Sequence, residues 1–383
     1  MPLRWVRWRQ FRNLADGELD VPAAGWLVLG ANGQGKTNLL EAFYYLAVFR
    51  SFRGARDEEL VRFGADWFRL EAEVVTADGP RRVAVAYDRP SRRKRVTLDG
   101  ADPPRLSDAV GVLAAVPLLP SDLQLVAGPP TLRRGFLDVM LSLAYPLYLR
   151  ALQRYRHALE QRNAALRRRA GDAAVAVWDE PLAEAGAWVL RQRYRWAQAA
   201  QPPFDAHMRQ LTDGLGGRLR YAPTLPPPED VDDLEAWRAA LRVALAARRA
   251  EERHRGFTVV GPHRDDLRLE AEIAPDQWID LHTFGSTGQQ RTAAIALRLT
   301  EAETVRQARR QAPLLLFDDA GAELDAERLR RLLAWAEAGA AVGHAQPVYA
   351  APKDADLPYR PPWPCHRLRA GHLHPCEGDA AFA

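Results

Sequence analysis

Lys36 is one of three lysines in a chain of 383 residues that draws the rest of its positive charge from arginine. It lies in Gly30-Ala31-Asn32-Gly33-Gln34-Gly35-Lys36-Thr37-Asn38, which also holds two of the four asparagines. The segment matches G-x-x-x-x-G-K-T, a loop that cradles phosphates. Glycines let backbone N–H groups turn inward on an anion, and the following helix adds its positive end. A lysine ammonium is compact enough to curl over β- and γ-phosphates, which arginine's broad planar fork is not. The Thr37 hydroxyl suits a Mg2+ ion bridging those phosphates. Gly30, Ala31, Asn32, Gly33, Gln34, Gly35, Lys36 and Thr37 are therefore the expected binding residues for ATP with Mg2+.

A second group is Leu314-Leu315-Leu316-Phe317-Asp318-Asp319. Four apolar residues and then an acid place a carboxylate at the end of a buried strand, where open α/β sheets bind ligands. Asp318 is expected to position Mg2+ beside Thr37, and Asp319 to orient or deprotonate an attacking water. Lys36, Asp318 and Asp319 form the expected catalytic set. A third group is Ser286-Thr287-Gly288-Gln289-Gln290-Arg291. By composition it reads as a plain helix N-cap. Its position between the phosphate loop and the acidic strand gives it more weight, because ATPases with two facing heads order their motifs this way.

These residues need a scaffold. Trp26 to Leu29 form the short apolar strand a phosphate loop requires, and Leu39 to Leu46 continue with helical spacing. Residues 3–12, 67–75, 82–88 and 95–98 read as strands of a β-rich lobe. Helices are expected from Tyr148 to Arg169 and over 181–200 and 234–255. Strand texture returns at Phe257–Val260 and from Leu267 to Ile273. A helix over 288–311, the strand 314–317, a helix over 326–337 and a strand near Val348-Tyr349 close the pattern. The expected organisation is an ATPase head over 1–129, a helical arm insertion over 130–255 and the rest of the head over 256–383.

Bulk composition is that of a globular protein, with 47% hydrophobic and 27% charged residues. A net charge of +4 permits an anionic partner without requiring one. Two cysteines make no disulfide framework, and no apolar run is long enough for a membrane span or signal core. The expected location is the cytoplasm, with no membrane partner.

The order of motifs resembles the RecF family, bacterial recombination mediators with an ABC-type ATPase head. The resemblance rests on the phosphate loop, Gly261-Pro262-His263-Arg264-Asp265-Asp266-Leu267, Ser-Thr-Gly-Gln-Gln-Arg, and Asp318-Asp319 with Ala322-Glu323-Leu324-Asp325. Phe11-Arg12-Asn13-Leu14, Asn38 to Glu41, Pro120-Ser121-Asp122-Leu123, Arg133 to Asp138 and Arg150 to Arg167 are similar too, so it spans roughly residues 1–350. It implies an α/β fold, an ABC-type P-loop head with a mixed central sheet and a helical arm. It adds Arg12, Asn13, Ser286, Gly288 and Gln289 to the nucleotide contacts, with Leu324-Asp325 at a dimer seam. Two heads would sandwich ATP and close on DNA near single-strand gaps, with slow hydrolysis for release. The implied partners are DNA, a second copy of the chain, RecR, RecO and RecA, in repair, replication recovery and SOS induction.

One position departs from ABC ATPases. Val348-Tyr349-Ala350-Ala351-Pro352 carries no histidine or threonine hydroxyl as a switch residue, so slow turnover is expected. Arg92-Arg93-Lys94-Arg95, Arg167-Arg168-Arg169 and Arg248 to Arg255 are candidates for DNA phosphates, or solvated surface. Cys365, His366, His372, His374 and Cys376 raise zinc, but the spacing fits an exposed hairpin better. A small-metabolite kinase would leave the Ser-Thr-Gly-Gln-Gln and Asp-Asp groups unexplained. An SMC- or Rad50-like ATPase would need a longer coiled coil, and a transporter ATPase the missing histidine.

Overall fold

The computed structural model describes residues 3–212, 214–319, 324–353 and 357–376. The chain divides into two compact units. One comprises Met1–Leu123, Gln210–Gly214 and Ala294–Ala383, the other Gln124–Arg209 and Leu215–Ala293.

The first unit opens with β1 (Leu3–Arg9), β2 (Gly17–Asp20), β3 (Trp26–Leu29), α1 (Lys36–Val48) and α2 (Asp57–Leu60). It continues with β4 (Trp67–Thr76), β5 (Gly79–Asp88), β6 (Arg93–Leu98), α3 (Leu106–Ala109) and β7 (Ala115–Leu118). Residues of β4 alternate between buried and more exposed, as a sheet with one covered face requires. Pairing gives an antiparallel sheet in the order β2-β1-β4-β5-β6. Its covered face packs on α1, where Phe68 meets Phe11 and Tyr45 edge-on at 5.3 and 5.6 Å between ring centres. Aromatic rings favour this T-shaped contact because the positive edge of one faces the negative face of the other.

The second unit takes the chain through α4 (Leu123–Ala127), α5 (Pro130–Ala144), α6 (Pro146–Arg167), α7 (Asp172–Ala176) and α8 (Asp179–Leu211). Then come β8 (Gly217–Ala222), α9 (Leu234–Arg255), β9 (Asp266–Ala274), β10 (Gln277–Asp280), α10 (Leu281–Phe284) and the start of α11 (Thr287–Arg309). Its sheet has the order β10-β9-β8. The helical arm expected over 130–255 lies largely in this unit. The unit's far boundary is Ala293 rather than 255, because β8 pairs along its length with β9, from Gly217↔Ala271 to Ala222↔Asp266.

Two expectations fail here for physical reasons. Phe257–Val260 forms no strand. Side chains satisfy its backbone instead: Thr258 N–H donates to Asn163 Oδ1 at 2.8 Å and Val259 N–H to Glu252 Oε1 at 2.9 Å. The helix expected to end at 200 continues through Pro202-Pro203 to Leu211. Proline removes two helical donors. Burial of Phe204 and Met208 offsets that loss, and the Gln201 side chain bonds β8 at Gly217 O (3.0 Å) and Leu219 N–H (2.6 Å).

The chain re-enters the first unit along α11 and adds β11 (Leu314–Asp318), α12 (Ala326–Ala341), β12 (Gln346–Ala351), β13 (Cys365–Arg369) and β14 (His372–Pro375). These complete a six-stranded sheet, β14-β13-β3-β12-β11-β7, parallel except for the returning β14. Strands β3, β11 and β12 are buried at every position, which is why they are mostly apolar, with Gln346 and Asp318 at their ends as the polar exceptions. The hairpin expected around Gly371 exists, but it is not merely exposed. Its first strand extends the central sheet beside β3, through Cys365↔Leu27 to Arg367↔Leu29.

Candidate functional site

Strand β3 delivers Gly30 to the carboxyl edge of the parallel sheet, and the loop 30–35 turns into α1 with Lys36 as its first residue. Gly35 caps that helix at φ 112°, a left-handed backbone that suits glycine. A Cβ there would also lie 2.7 Å from Asn13 Oδ1. The Lys36 side chain is enclosed, with Nζ donating to the Gly30 carbonyl at 2.5 Å and the Ala31 carbonyl at 3.2 Å. Its charge is thus held against the loop that an anion would occupy.

Strand β11 lies next but one to β3, separated only by β12. That spacing brings the second group to the first. Thr37 Oγ1 lies 2.8 and 3.0 Å from the two carboxylate oxygens of Asp318. Asp318 is 9% exposed, and burial raises its pKa, assisted by the Asp319 charge and opposed by the Thr37 hydrogen bond, Lys36 and Arg53. Asp319 follows at φ 51°, a left-handed conformation aspartate tolerates, with its N–H bonded to Ala350 O at 2.9 Å. A hydroxyl and a carboxylate at this distance, beside a lysine and a glycine loop, are the donors Mg2+ uses when phosphates supply the rest of its shell. Among the described residues no cluster of three or more His, Cys, Asp or Glu side chains could hold a metal without such a ligand.

Strand β12 ends between these groups, with Ala350 opposite Asp318 and Ala351 opposite Leu29. Both are methyl side chains with at most 1% exposure. The strand end therefore offers no side-chain donor where ABC ATPases place their switch.

Arg12 and Asn13 stand behind the loop. Arg12 binds the buried carboxylate of Glu41 with Nε and Nη2, at 2.9 and 3.2 Å, and its Nη1 reaches Glu59 O. The Ser51 hydroxyl donates to the same carboxylate. Asn13 Nδ2 donates to Gly33 O at 3.1 Å, and Asn13 Oδ1 accepts from Asn38 Nδ2 at 2.7 Å. Arg53 Nη1 in turn donates to Asn38 Oδ1 at 3.0 Å. Glu41 belongs to the family-like continuation of the loop without a role of its own in the sequence, and no motif marks Ser51 or Arg53. Asn13 and Asn38 stand in family-like segments, Phe11 to Leu14 and Asn38 to Glu41, and both belong to a residue type that is scarce in this chain.

The β13–β14 turn is a further support with no motif of its own. Ala370 N–H donates to Gln34 Oε1 at 2.5 Å, and Gly371 O accepts from Ala15 N–H at 3.0 Å. A Cβ on Gly30 would meet Leu368 O at 2.6 Å. The hairpin is closed by a Cys365–Cys376 disulfide, Cα to Cα 5.4 Å, so these cysteines are bonded to each other rather than free to ligate zinc.

Ser286, Gly288 and Gln289 lie in the second unit at the start of α11. Ser286 N–H donates to Gln289 Oε1 at 2.9 Å and Gln289 N–H to Ser286 Oγ at 3.3 Å, a reciprocal capping box. Ser286 and Thr287 are exposed, and Phe284 beside them is 71% exposed. Asp325 caps α12 through Arg328 N–H, while Ala322 and Glu323 lie outside the described residues. The other family-like segments knit each unit's interior. In the first, Asp122 accepts from Leu119 N–H and Arg298. In the second, Arg133 grips Asp266 with two bonds, Asp138 accepts from Arg193, and Asp265 from Tyr221.

Comparison with known proteins places the chain in a family. Residues 2–340 match the family described as RecF/RecN/SMC N terminal domain. The DNA replication and repair protein RecF of Synechococcus sp. (strain JA-3-3Ab) is 38% identical over 347 residues, covering 87% of this chain and 88% of that protein. A solved structure of the recombination mediator protein RecF with ATP, from the RecFOR pathway, superposes with a TM-score of 0.86 at 26% identity, over 98% of this chain and 97% of that one. An Smc head domain from Pyrococcus furiosus, bound to the C-terminal domain of ScpA, shares the fold at 15% identity and TM-score 0.58, over 100% and 98%. With its phosphate loop and acidic strand set in an ABC-type ATPase head, the chain belongs to the RecF family.

Proposed function

We propose that this chain binds ATP with Mg2+ in the cytoplasm and that ATP draws two heads into a clamp on DNA near single-strand gaps. In this reading it mediates recombination with RecR and RecO, aids RecA loading, and serves repair, replication recovery and SOS induction. The observation that carries the proposal is the contact of Thr37 Oγ1 with both oxygens of Asp318 beside the enclosed Lys36 ammonium. Family membership and the ATP-bound relative support it.

Loop N–H groups from Gly33 to Thr37 and the positive end of α1 would hold the β- and γ-phosphates, with Lys36 neutralising their charge. Thr37 and Asp318 would hold Mg2+, which supplies Lewis-acid polarisation of the phosphoryl oxygens. Asp319 would orient the attacking water or take its proton. Arg12 and Asn13, tied to Glu41 and Gly33, would keep the loop in shape for the phosphates. The exposed N-terminus of α11, with Ser286, Gly288 and Gln289, would receive the ATP held by a second copy. Hydrolysis would be slow, because β12 ends in Ala350-Ala351 and Asp319 is a methylene shorter than glutamate, and the family resemblance makes it DNA-dependent.

Light scattering after size exclusion, with and without Mg2+ and ATP, tests the reading. The wild-type chain should become dimeric with ATP. Ser286→Arg should bind ATP and stay monomeric. Normal dimerisation by Ser286→Arg, or no uptake of nucleotide by the wild type, would overturn it.

A further inference from the structure

The three arginine clusters conspicuous in the sequence differ once their partners are known. In α9, Arg248, Arg249, Arg253 and Arg255 each reach an acid, Glu251, Asp179, Asp172 and Glu251 respectively. A guanidinium already paired with a carboxylate is a poor phosphate ligand. A different basic surface stands out in the first unit, between α1 and α2, and no sequence motif marks it.

Arg50, Arg53 and Arg56 recur every third residue in this loop, and all three are exposed. Among the described residues Arg50 has no ion-pair partner, while the Arg53 guanidinium bonds the Asn38 amide and lends its charge to Asp318. Arg56 has one loose contact, 3.7 Å to Glu58, with its side chain 81% exposed. Such an exposed pair is worth little and gives way easily. Of the nearby acids, Glu58 makes only that loose contact, and the other two are engaged elsewhere. Asp57 accepts from the Tyr45 hydroxyl at 2.6 Å and pairs with Lys94 at 2.9 Å, and Glu59 caps Arg56 N–H.

The loop is also built to present these groups. Ser51 is anchored on buried Glu41, and Phe52 packs edge-on against Tyr44 with ring centres 5.5 Å apart. Gly54 turns between the anchors at φ 73° with open space around it. Lys94 donates to Phe49 O at 2.9 Å, which docks the start of β6 on the loop. That brings the β5–β6 turn alongside, with exposed Arg92 and Arg93, which have no ion-pair partner among the described residues. Through Asn38 and Asn13, the loop's position is tied to that of the phosphate loop.

We infer that the α1–α2 loop, with Arg50, Arg53 and Arg56, is a docking surface for the phosphodiester backbone of nucleic acid, extended by Arg92 and Arg93. Exposed guanidiniums carried on an anchored loop bind phosphates without reading base sequence. This inference rests on the DNA-binding reading above and adds the surface to it.

The experiment is a salt titration. Binding of the full chain with Mg2+ and a non-hydrolysable ATP analogue to a labelled gapped duplex is measured at several salt concentrations. If both residues contact phosphates, Arg50→Ala/Arg56→Ala should lower the slope of log affinity against log salt by about 1.8, two counterions at about 0.9 each. Its affinity for the ATP analogue should stay within about twofold of wild type, since neither residue touches the phosphate loop. Arg167→Ala/Arg168→Ala, in the other exposed cluster, serves as the comparison and should leave the slope unchanged. A wild-type slope in Arg50→Ala/Arg56→Ala overturns the inference and leaves an acidic protein as the occupant. A lowered slope in Arg167→Ala/Arg168→Ala alone overturns it in favour of that cluster. Failure of the wild-type chain to bind the duplex at all overturns the DNA-binding reading, and this surface with it.

Discussion

Replacing His263 with glutamine should remove a pH dependence of stability that follows from the burial of its ring. His263 lies in the second unit, with Nε2 2.9 Å from Thr258 O and Nδ1 2.6 Å from the Tyr155 hydroxyl. A carbonyl can only accept, so Nε2 carries the proton and Nδ1 accepts from Tyr155. A second proton on the ring would turn that hydroxyl from donor to acceptor. Burial lowers the pKa to about 4, and the charges of Arg264, Arg134 and Arg193 add to the effect of burial, against the Thr258 bond. The unfolded histidine titrates near 6.5, so between the two values the unfolded chain binds more protons. Stability is therefore complete above about pH 6.5 and lost as pH falls toward 4. At pH 4.5 the loss from this one group is about 2.5 kcal/mol, an upper figure because the ring has some access to solvent. Urea unfolding followed by tryptophan fluorescence at pH 7 and pH 4.5 measures it. The wild type should lose about 2 kcal/mol more than His263→Gln between those values. Parallel losses would mean that the ring takes up its second proton as readily folded as unfolded, and that burial does not lower its pKa.

Two further outcomes follow from the site. Burial makes the ionised form of Asp318 costly, so Asp318→Asn should melt at a higher temperature than wild type without nucleotide. The same variant should lose the gain from Mg2+ and ATP, about 2.7 kcal/mol for wild type at a hundredfold excess over Kd. Thermal shifts with and without ligand check both halves, and a variant that still gains from Mg2+ and ATP would remove Asp318 from the metal site. Reduction of Cys365–Cys376, which closes 11 residues of separation, should cost the hairpin about 3 kcal/mol by chain entropy. It should weaken ATP binding, because Ala370 holds Gln34. Equal ATP affinity with and without reductant would show that the hairpin does not shape the loop.

What the sequence disclosed and what it hid have separable causes. The phosphate loop, the strand before it and the acidic strand were legible because each is local: a glycine pattern, a four-residue apolar run, a run ended by an acid. The order of sheet strands was not, since no local pattern announces that β12 lies between β3 and β11. Phe257–Val260 has strand composition, yet Asn163 and Glu252, remote in sequence, take its backbone bonds. Pro202-Pro203 predict a helix end, and tertiary packing of Phe204 and Met208 overrides it. Strand β8 is short and follows irregular chain, so its alternation was too brief to notice. The supports of the phosphate loop, Glu41, Ser51 and the Ala370 turn, are ordinary residues that only the fold brings to the site. Runs of arginine were the loudest surface signal, yet the α9 run proves to be laced with acids, while the sparser spacing at 50, 53 and 56 stays open.

Strand β3 is flanked by β12 and β13, whose residues come more than three hundred positions later. Leu3 likewise exchanges two hydrogen bonds with the Gln346 side chain. During synthesis the nucleotide loop leaves the ribosome early, while its neighbours have yet to be made. Closing contacts of such separation is slow, and the apolar strand stays uncovered meanwhile. A growing chain of this protein would therefore depend on shielding of residues 26–29 until β12 and β13 have been made, and ATP could be gripped only then.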